Sequence, residues 1–245
     1  MKEMVEQDFD YIGIMETEAD TIRKRLKKSK EPSNVLEVVK ASLTRMGAFF
    51  DTVCKDYDIV LPCKEACPYC CYVRVEVSPP EVFYISNYIH RHFSEKEMSS
   101  LLKRIRNSAA RARGLTSKQY ARARIPCPLL ADNKCSIYPA RPGTCRILHS
   151  RDVDVCKKAY EDAENAEYDP IQNEGLRMGS VAFLVGLKMA FERAKLDSGS
   201  YELSQALAVT LTNPKAYTAW LKGKKMFTAL PAEEYGEWRR AGWPS

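Results

Sequence analysis

Apolar residues return every third or fourth position through SNVLEVVKASLTRMGAFFDTVCKDY, where Val35, Val39, Leu43, Met46, Phe50 and Val53 mark one face. That period predicts an amphipathic helix, capped by Ser33 and running to about Asp56. An earlier helix is predicted over residues 1–28, closing on RKRLKKSK. After Asp56 the helical period stops. VRVEV alternates from Val73 to Val77 and predicts a short strand. Ser78-Pro79-Pro80-Glu81 is a capping box with proline at the first helical position, which opens a helix to about His92. Ser94 to Glu97 forms a second box, whose helix should end near Gly114. The stretch IPCPLLADNKCSIYPARPGTCRILH holds four prolines and an Asp-Asn turn signal. It predicts irregular chain with at most a short hairpin from Leu129 to Tyr138. Beyond residue 168 the helical pattern returns in GLRMGSVAFLVGLKMAFERA, SYELSQALAVTL and NPKAYTAWLKGKKMF. The last is opened by Asn213 as a cap and Pro214.

The fold class that follows is mainly α: helices around a compact irregular cysteine-rich metal-binding centre with at most a short β-hairpin. A chain of 245 residues suits one domain. It divides into an N-terminal helical segment (1–56), a cysteine-cluster core (57–165) and C-terminal helices (166–245). The opening MKEMVEQDFD has neither the basic nor the apolar region of a secretory signal. The most apolar run, Val181 to Leu187, is too short to span a bilayer. The expectation is a cytoplasmic protein with no membrane partner.

Nine cysteines change the picture. In a reducing compartment, dense spaced cysteines bind metal or do redox chemistry more often than they form disulfides. Cys54 falls within the helical period and reads as a packing thiol. The other eight form two groups, Cys63-x3-Cys67-x2-Cys70-Cys71 and Cys127-x7-Cys135-x9-Cys145-x10-Cys156. Ligands two or three residues apart wrap one centre, as zinc's tetrahedron or an iron–sulfur cubane requires. Positions 63, 67, 70 and 71 would also make one helical stripe, but Pro68 would break that helix in its middle. Neighbouring side chains on an extended backbone diverge, so Cys70 and Cys71 should not hold the same ion. Eight thiols fill two four-thiolate sites, or one site with thiols to spare. The predicted metal ligands are Cys63, Cys67, Cys70, Cys71, Cys127, Cys135, Cys145 and Cys156. Cys63, Cys67 and Cys70 also match the C-x3-C-x2-C spacing of radical S-adenosylmethionine enzymes. No Gly-Gly pair follows, however, and the pattern after the motif is helical.

CKEACPYCC, then CPLL-x4-CSIY, then RP-x2-CR resembles the bacterial and archaeal YkgJ-type cysteine-cluster (CxxCxxCC) family, described as zinc- or iron-chelating. The resemblance carries over Cys63, Cys67, Cys70, Cys71, Cys127, Cys135 and Cys145. Pro128, Leu129, Tyr138, Arg141, Pro142 and Arg146 are its motif context, and Cys156 lies beyond this core. It implies metal binding. A related branch includes flagellin lysine N-methylase, whose cysteines resemble an iron–sulfur site.

The cofactor expected is an iron–sulfur cluster of the [4Fe–4S] type, since thiols in excess of four exceed what a closed zinc site takes; zinc is the alternative. Arg141 and Arg146 flank Cys145 as partners for thiolate charge or an anion, against the plainer reading of surface ion pairs. Tyr138 is expected to pack over the centre. His149, four residues after Cys145, either substitutes as a ligand or is simply hydrogen-bonded. His90 and His92 sit where a helix end favours positive charge.

Net charge is +6. Four thiolates on Zn²⁺ or a [4Fe–4S]²⁺ core carry −2, so one filled site leaves about +4 and two leave about +2. From Leu101 to Ile125 stand eight Lys or Arg and no Asp or Glu. Such runs are usually a solvated helix face, and no aromatic interleaving points to nucleic acid. Three functions are therefore in view. They are a metal-binding protein with an unassigned protein or small-molecule partner, a metalloenzyme of methylase-like or radical type, and a basic zinc module on nucleic acid.

Overall fold

The computed structural model describes residues 9–164, 170 and 172–228. The first half of the chain gives helices α1 (Tyr11–Lys28), α2 (Pro32–Asp56), α3 (Pro79–His92), α4 (Glu95–Ala112) and α5 (Ser117–Arg122), with strand β1 (Glu76–Val77) ahead of α3. Strands β2 (Leu130–Ala131) and β3 (Lys134–Cys135) precede α6 (Gly143–Ile147) and α7 (Val153–Glu161). Then come α8 (Glu174–Arg193), β4 (Tyr201–Glu202), α9 (Leu203–Thr212) and α10 (Ala216–Leu221). The protein is mainly helical, as its apolar periods predict. Among the described residues no helix is long and apolar enough to cross a membrane.

Local chemistry sets the helix ends. The Asp10 carboxylate accepts from the Gly13 N–H at 2.8 Å and starts α1, well inside the expected 1–28; residues 1–8 lie outside those described. Arg25, Lys27 and Lys28 gather at its C-terminal end, where the helix dipole favours cations. In α2 the helix begins one residue before Ser33, because Pro32 has the fixed φ that suits a first turn. Both expected capping boxes form, at Ser78/Glu81 and Ser94/Glu97. A third, Thr116/Gln119, opens α5, which the sequence reading did not anticipate. Helix α4 ends at Ala112, and Gly114 turns the chain with φ +73°. Near the C-terminus Asn213 Oδ1 accepts from the Lys215 N–H at 3.0 Å, and α10 starts only at Ala216.

Among the described residues two large cores hold most of the helices, and a small third of Ala112, Tyr120 and Ile125 seats α5. In the first, Ile22 of α1, Val39 and Met46 of α2, Leu187 and Phe191 of α8 and Trp220 of α10 pack together. The N-terminal and C-terminal helical segments therefore share one interior. Helix α8 passes close to α1 at Gly186, where a Cβ would stand 2.6 Å from the Met15 carbonyl oxygen. The second core joins Val77, Ile85, Ile89, Leu101 and Ile105 to Leu129, Ile137 and Leu207. It sits directly behind the cysteine segments.

The sheets are small. The expected strand over 73–77 shortens to β1, which pairs antiparallel with β4 through Glu76–Glu202 and Val77–Tyr201. Its alternation holds only at the end that pairs: Val75 and Val77 are buried on one face, but Val73, two residues earlier, is exposed and Arg74 is buried. The expected hairpin forms as β2–β3, with Leu130 opposite Cys135. Asp132 and Asn133 make its turn with φ of 50° and 60°, the left-handed pair that a two-residue hairpin demands.

Candidate metal centre

The first cysteine segment leaves α2 through a loop. Ala66 takes a φ of 69°, and the Cys67 N–H returns to the Lys64 carbonyl at 3.2 Å. That turn brings Cys63 and Cys67 back toward each other. A single 3-10 turn over Tyr69–Tyr72 follows Pro68, so no continuous helical stripe carries the four thiols. The tight turn also changes the adjacent pair. The Cys70 and Cys71 thiols share a hydrogen bond instead of diverging as an extended backbone would make them. Donation from Cys71 holds the Cys70 thiol down at about 7 and pushes Cys71 above its ordinary range.

The second segment is fastened to the first through the backbone: the Cys127 N–H donates to the Cys71 carbonyl at 2.7 Å. Cys135 is carried on β3, with the hairpin closed by Ser136 N–H to the Leu129 carbonyl at 2.9 Å. Cys145 is carried on α6. That helix is anchored by the Gly143 N–H on Glu81 Oε1 at 2.9 Å and by the Thr144 hydroxyl on the Glu76 carbonyl at 2.9 Å. Against α8 it packs so closely that a Cβ on Gly143 would fall 2.2 Å from Leu184 Cδ2.

These pieces surround one cavity of about 500 Å³. Cys63, Cys67, Cys70, Cys71, Cys127, Cys135 and Cys145 all line it, together with Tyr138, Arg141 and Arg146. Cys156 on α7 is near these thiols but is not among the residues that line the cavity. Its thiol hydrogen-bonds to the Ser150 side chain and feels the charges of Cys63, Cys67 and Cys70. Ser150 also donates its N–H to the Cys63 sulfur at 3.3 Å, so one buried serine ties Cys63 to Cys156. Among the described residues, no three His, Cys, Asp or Glu side chains are gathered tightly enough to clasp a single ion. The thiols ring the cavity wall.

Burial governs their acidity. It pushes Cys127 up to about 12 and Cys145 well above the ordinary thiol value, and it raises Cys63, Cys135 and Cys156. Without a bound cation these thiols hold their protons. A soft cation that replaces the protons would fit this donor set, which is all sulfur.

His149 is buried with both ring nitrogens engaged. Nδ1 donates to the Ile147 carbonyl at 2.7 Å, and Nε2 accepts from the Asn173 N–H at 2.9 Å. No lone pair is left for a metal, so the hydrogen-bonded reading holds. Desolvation lowers its proton affinity. His90 and His92 lie in the last turn of α3, where the dipole favours them. Arg146 donates to the carbonyls of Arg141 at 3.0 Å and Pro139 at 2.7 Å. The Arg141 guanidinium stacks on the Tyr138 ring, 4.3 Å from its centroid. Its Nε is buried and has no hydrogen-bond partner among the described residues.

The contribution of α2 to the cavity was not foreseen. Met46, Phe50 and Cys54 of α2 line the same cavity, with Gly47 and Asp51 between them. They occupy one helical row, i, i+4 and i+8, and that row was the available signal. Cys54 thus reaches the cavity, yet burial and Asp51 are what raise its proton affinity, and no other thiol does. The basic stretch of α4 and α5 lies elsewhere: Lys103, Arg106, Arg113 and Lys118 are exposed, and Arg122 pairs with Glu164.

Residues 62–170 match the profile of the CxxCxxCC family, described as a "Putative zinc- or iron-chelating domain". The match runs past Arg146 and takes in Cys156. No curated protein and no solved structure shows significant similarity to the chain.

Proposed function

We propose, taking residues 62–170 as a zinc- or iron-chelating domain, that this protein holds an iron–sulfur cluster of the [4Fe–4S] type in the cavity between its two cysteine segments. The observation that carries the reading is the joining of both segments around one cavity by the Cys127–Cys71 backbone bond. Seven thiols of the two groups line that space, and the eighth, Cys156, interacts with Cys63, Cys67 and Cys70 of the first segment. A tetrahedral zinc site, with Zn–S near 2.3 Å, needs four sulfurs only about 3.8 Å apart. In a cubane each thiolate binds a different iron, so the sulfurs stand wider, which suits a ring of thiols better than a tight clasp. Zinc is the second reading, favoured by the same soft donor set.

When bound, the cluster would supply electron transfer or Lewis acidity. The protein's own residues exclude water, orient the thiols and balance their charge. The test is metal and acid-labile sulfide analysis, with an optical spectrum, on protein purified without oxygen. Iron with matching sulfide and absorbance near about 400 nm is the expected result. Stoichiometric zinc without colour would replace the cluster with a structural zinc site. Neither metal bound at all would overturn the reading.

A further inference from the structure

We infer that Arg141 is a positioning residue of this centre, donating its Nε–H to a sulfur of the bound metal site and offsetting the negative charge of its thiolates. The inference rests on the metal-centre reading above and adds to it a division of labour between the two arginines of the RP-x2-CR segment.

A buried N–H without an acceptor is costly, and native proteins rarely leave one. Among the described residues Arg141 Nε is such a group, and Arg141 lines the cysteine cavity. The side chain is held for that position and cannot easily swing away. Its guanidinium is stacked on Tyr138 at 4.3 Å, and its backbone carbonyl is gripped by Arg146 Nε at 3.0 Å. Arg146 also lines the cavity, but its Nε and one terminal nitrogen are spent on the Arg141 and Pro139 carbonyls, so it braces the loop. The groups that feel the Arg141 charge include Cys63 and Cys70 of the first segment and Cys135 and Cys145 of the second. One fixed cation thus reaches both halves of the thiol ring. A four-thiolate centre carries net negative charge, and a buried guanidinium N–H with no other acceptor among the described residues is suited to meet it. Groups of this kind behind metal ligands govern affinity as well as orientation.

Cobalt(II) alone is a suitable probe, because its thiolate charge-transfer bands report sulfur ligation directly. Apo wild type, Arg141→Met, Arg141→Lys and Arg146→Met are titrated with cobalt(II) against a competing chelator, and the melting temperature of each apo protein is recorded. Arg141→Met should bind about 10–100-fold more weakly. Its apo form should melt at the wild-type temperature or above, since an unpartnered buried donor has gone. Arg141→Lys keeps the charge without the planar Nε–H and should fall between the two; it also serves if the methionine variant fails to fold. Arg146→Met should lower the apo melting temperature, because it unties the loop. Wild-type affinity in both Arg141 variants would overturn the inference while leaving the metal site standing. So would an apo melting temperature for Arg141→Met depressed as far as that of Arg146→Met. If wild type takes up no cobalt, the same proteins are compared by iron and acid-labile sulfide content after anaerobic reconstitution: wild-type content in both Arg141 variants overturns the inference, and none in wild type overturns the metal-centre reading itself.

Discussion

At the scale of single residues, His149 has a role set by its two hydrogen bonds. A neutral imidazole donates to Ile147 and accepts from the N–H of Asn173, the residue that caps α8. Protonation would remove that acceptor and place a second cation near Arg177. The folded chain therefore binds this proton more weakly than the unfolded chain does. Its contribution to stability is complete above the ordinary value of 6.5 and is lost as pH falls through the lowered folded value. Denaturant titrations stepped downward from pH 7 should show this loss in wild type and a flatter profile in His149→Gln. Among the thiols, Cys67→Ser and Cys135→Ser should each lose bound metal and stability, because metal binding and folding are linked. Cys54→Ser should keep its metal. Metal analysis of the three purified variants decides the point, and loss from Cys54→Ser would promote that residue to a ligand. The spacing of the cysteines made their grouping legible in the sequence. The facing of Cys70 and Cys71 was not, because it depends on a 3-10 turn that follows Pro68, and one tight turn leaves no period to read.

At the scale of elements, one carboxylate joins two helix starts. Glu81 Oε2 accepts from the backbone N–H of Ser78 at 3.0 Å and from its hydroxyl at 2.6 Å, closing the capping box of α3. Its other oxygen takes the Gly143 N–H and so fixes α6, the carrier of Cys145. Glutamine at this position must point an NH₂ group at one of those donors. Glu81→Gln should cost about 1–3 kcal/mol in urea unfolding. It should also weaken metal retention, whereas Glu97→Gln at the exposed second box should cost less and leave the metal untouched. The capping box was visible from the sequence as a local signal. Its reach to Gly143 was invisible, since a long-range bond to a backbone N–H has no sequence signature. The row Met46, Phe50 and Cys54 shows the same limit: the period gave the helix, but not which loop would cover that face.

For the whole molecule, the protonated state of the buried thiols couples metal uptake to pH. Cys127 and Cys145 are held above their ordinary values by burial, and Cys71 by its hydrogen bond to Cys70. Each must lose its proton to become a ligand, so protons compete with the metal and affinity rises with pH. The expected slope is about tenfold per pH unit for each proton released. Calorimetric titration with zinc in buffers of different ionisation heat should detect those protons. A pH-independent affinity would show that the ligands are already thiolates. Chelation of the loaded protein should lower its melting temperature, by an amount that grows with the free metal concentration before chelation.

The bond from Cys127 to Cys71 has a further consequence, which concerns the order in which the protein is made. A ribosome delivers Cys63 to Cys71 first, and α3, α4 and α5 must follow before Cys127 can reach the Cys71 carbonyl. Until then the first four thiols belong to a loop without its other half. They can be oxidised, or take up an ion in a site that is not yet built. The complete ring exists only once the later segment has folded back onto the earlier one. A centre that draws on both segments can therefore be completed only after the chain has closed, whichever thiols met the metal first.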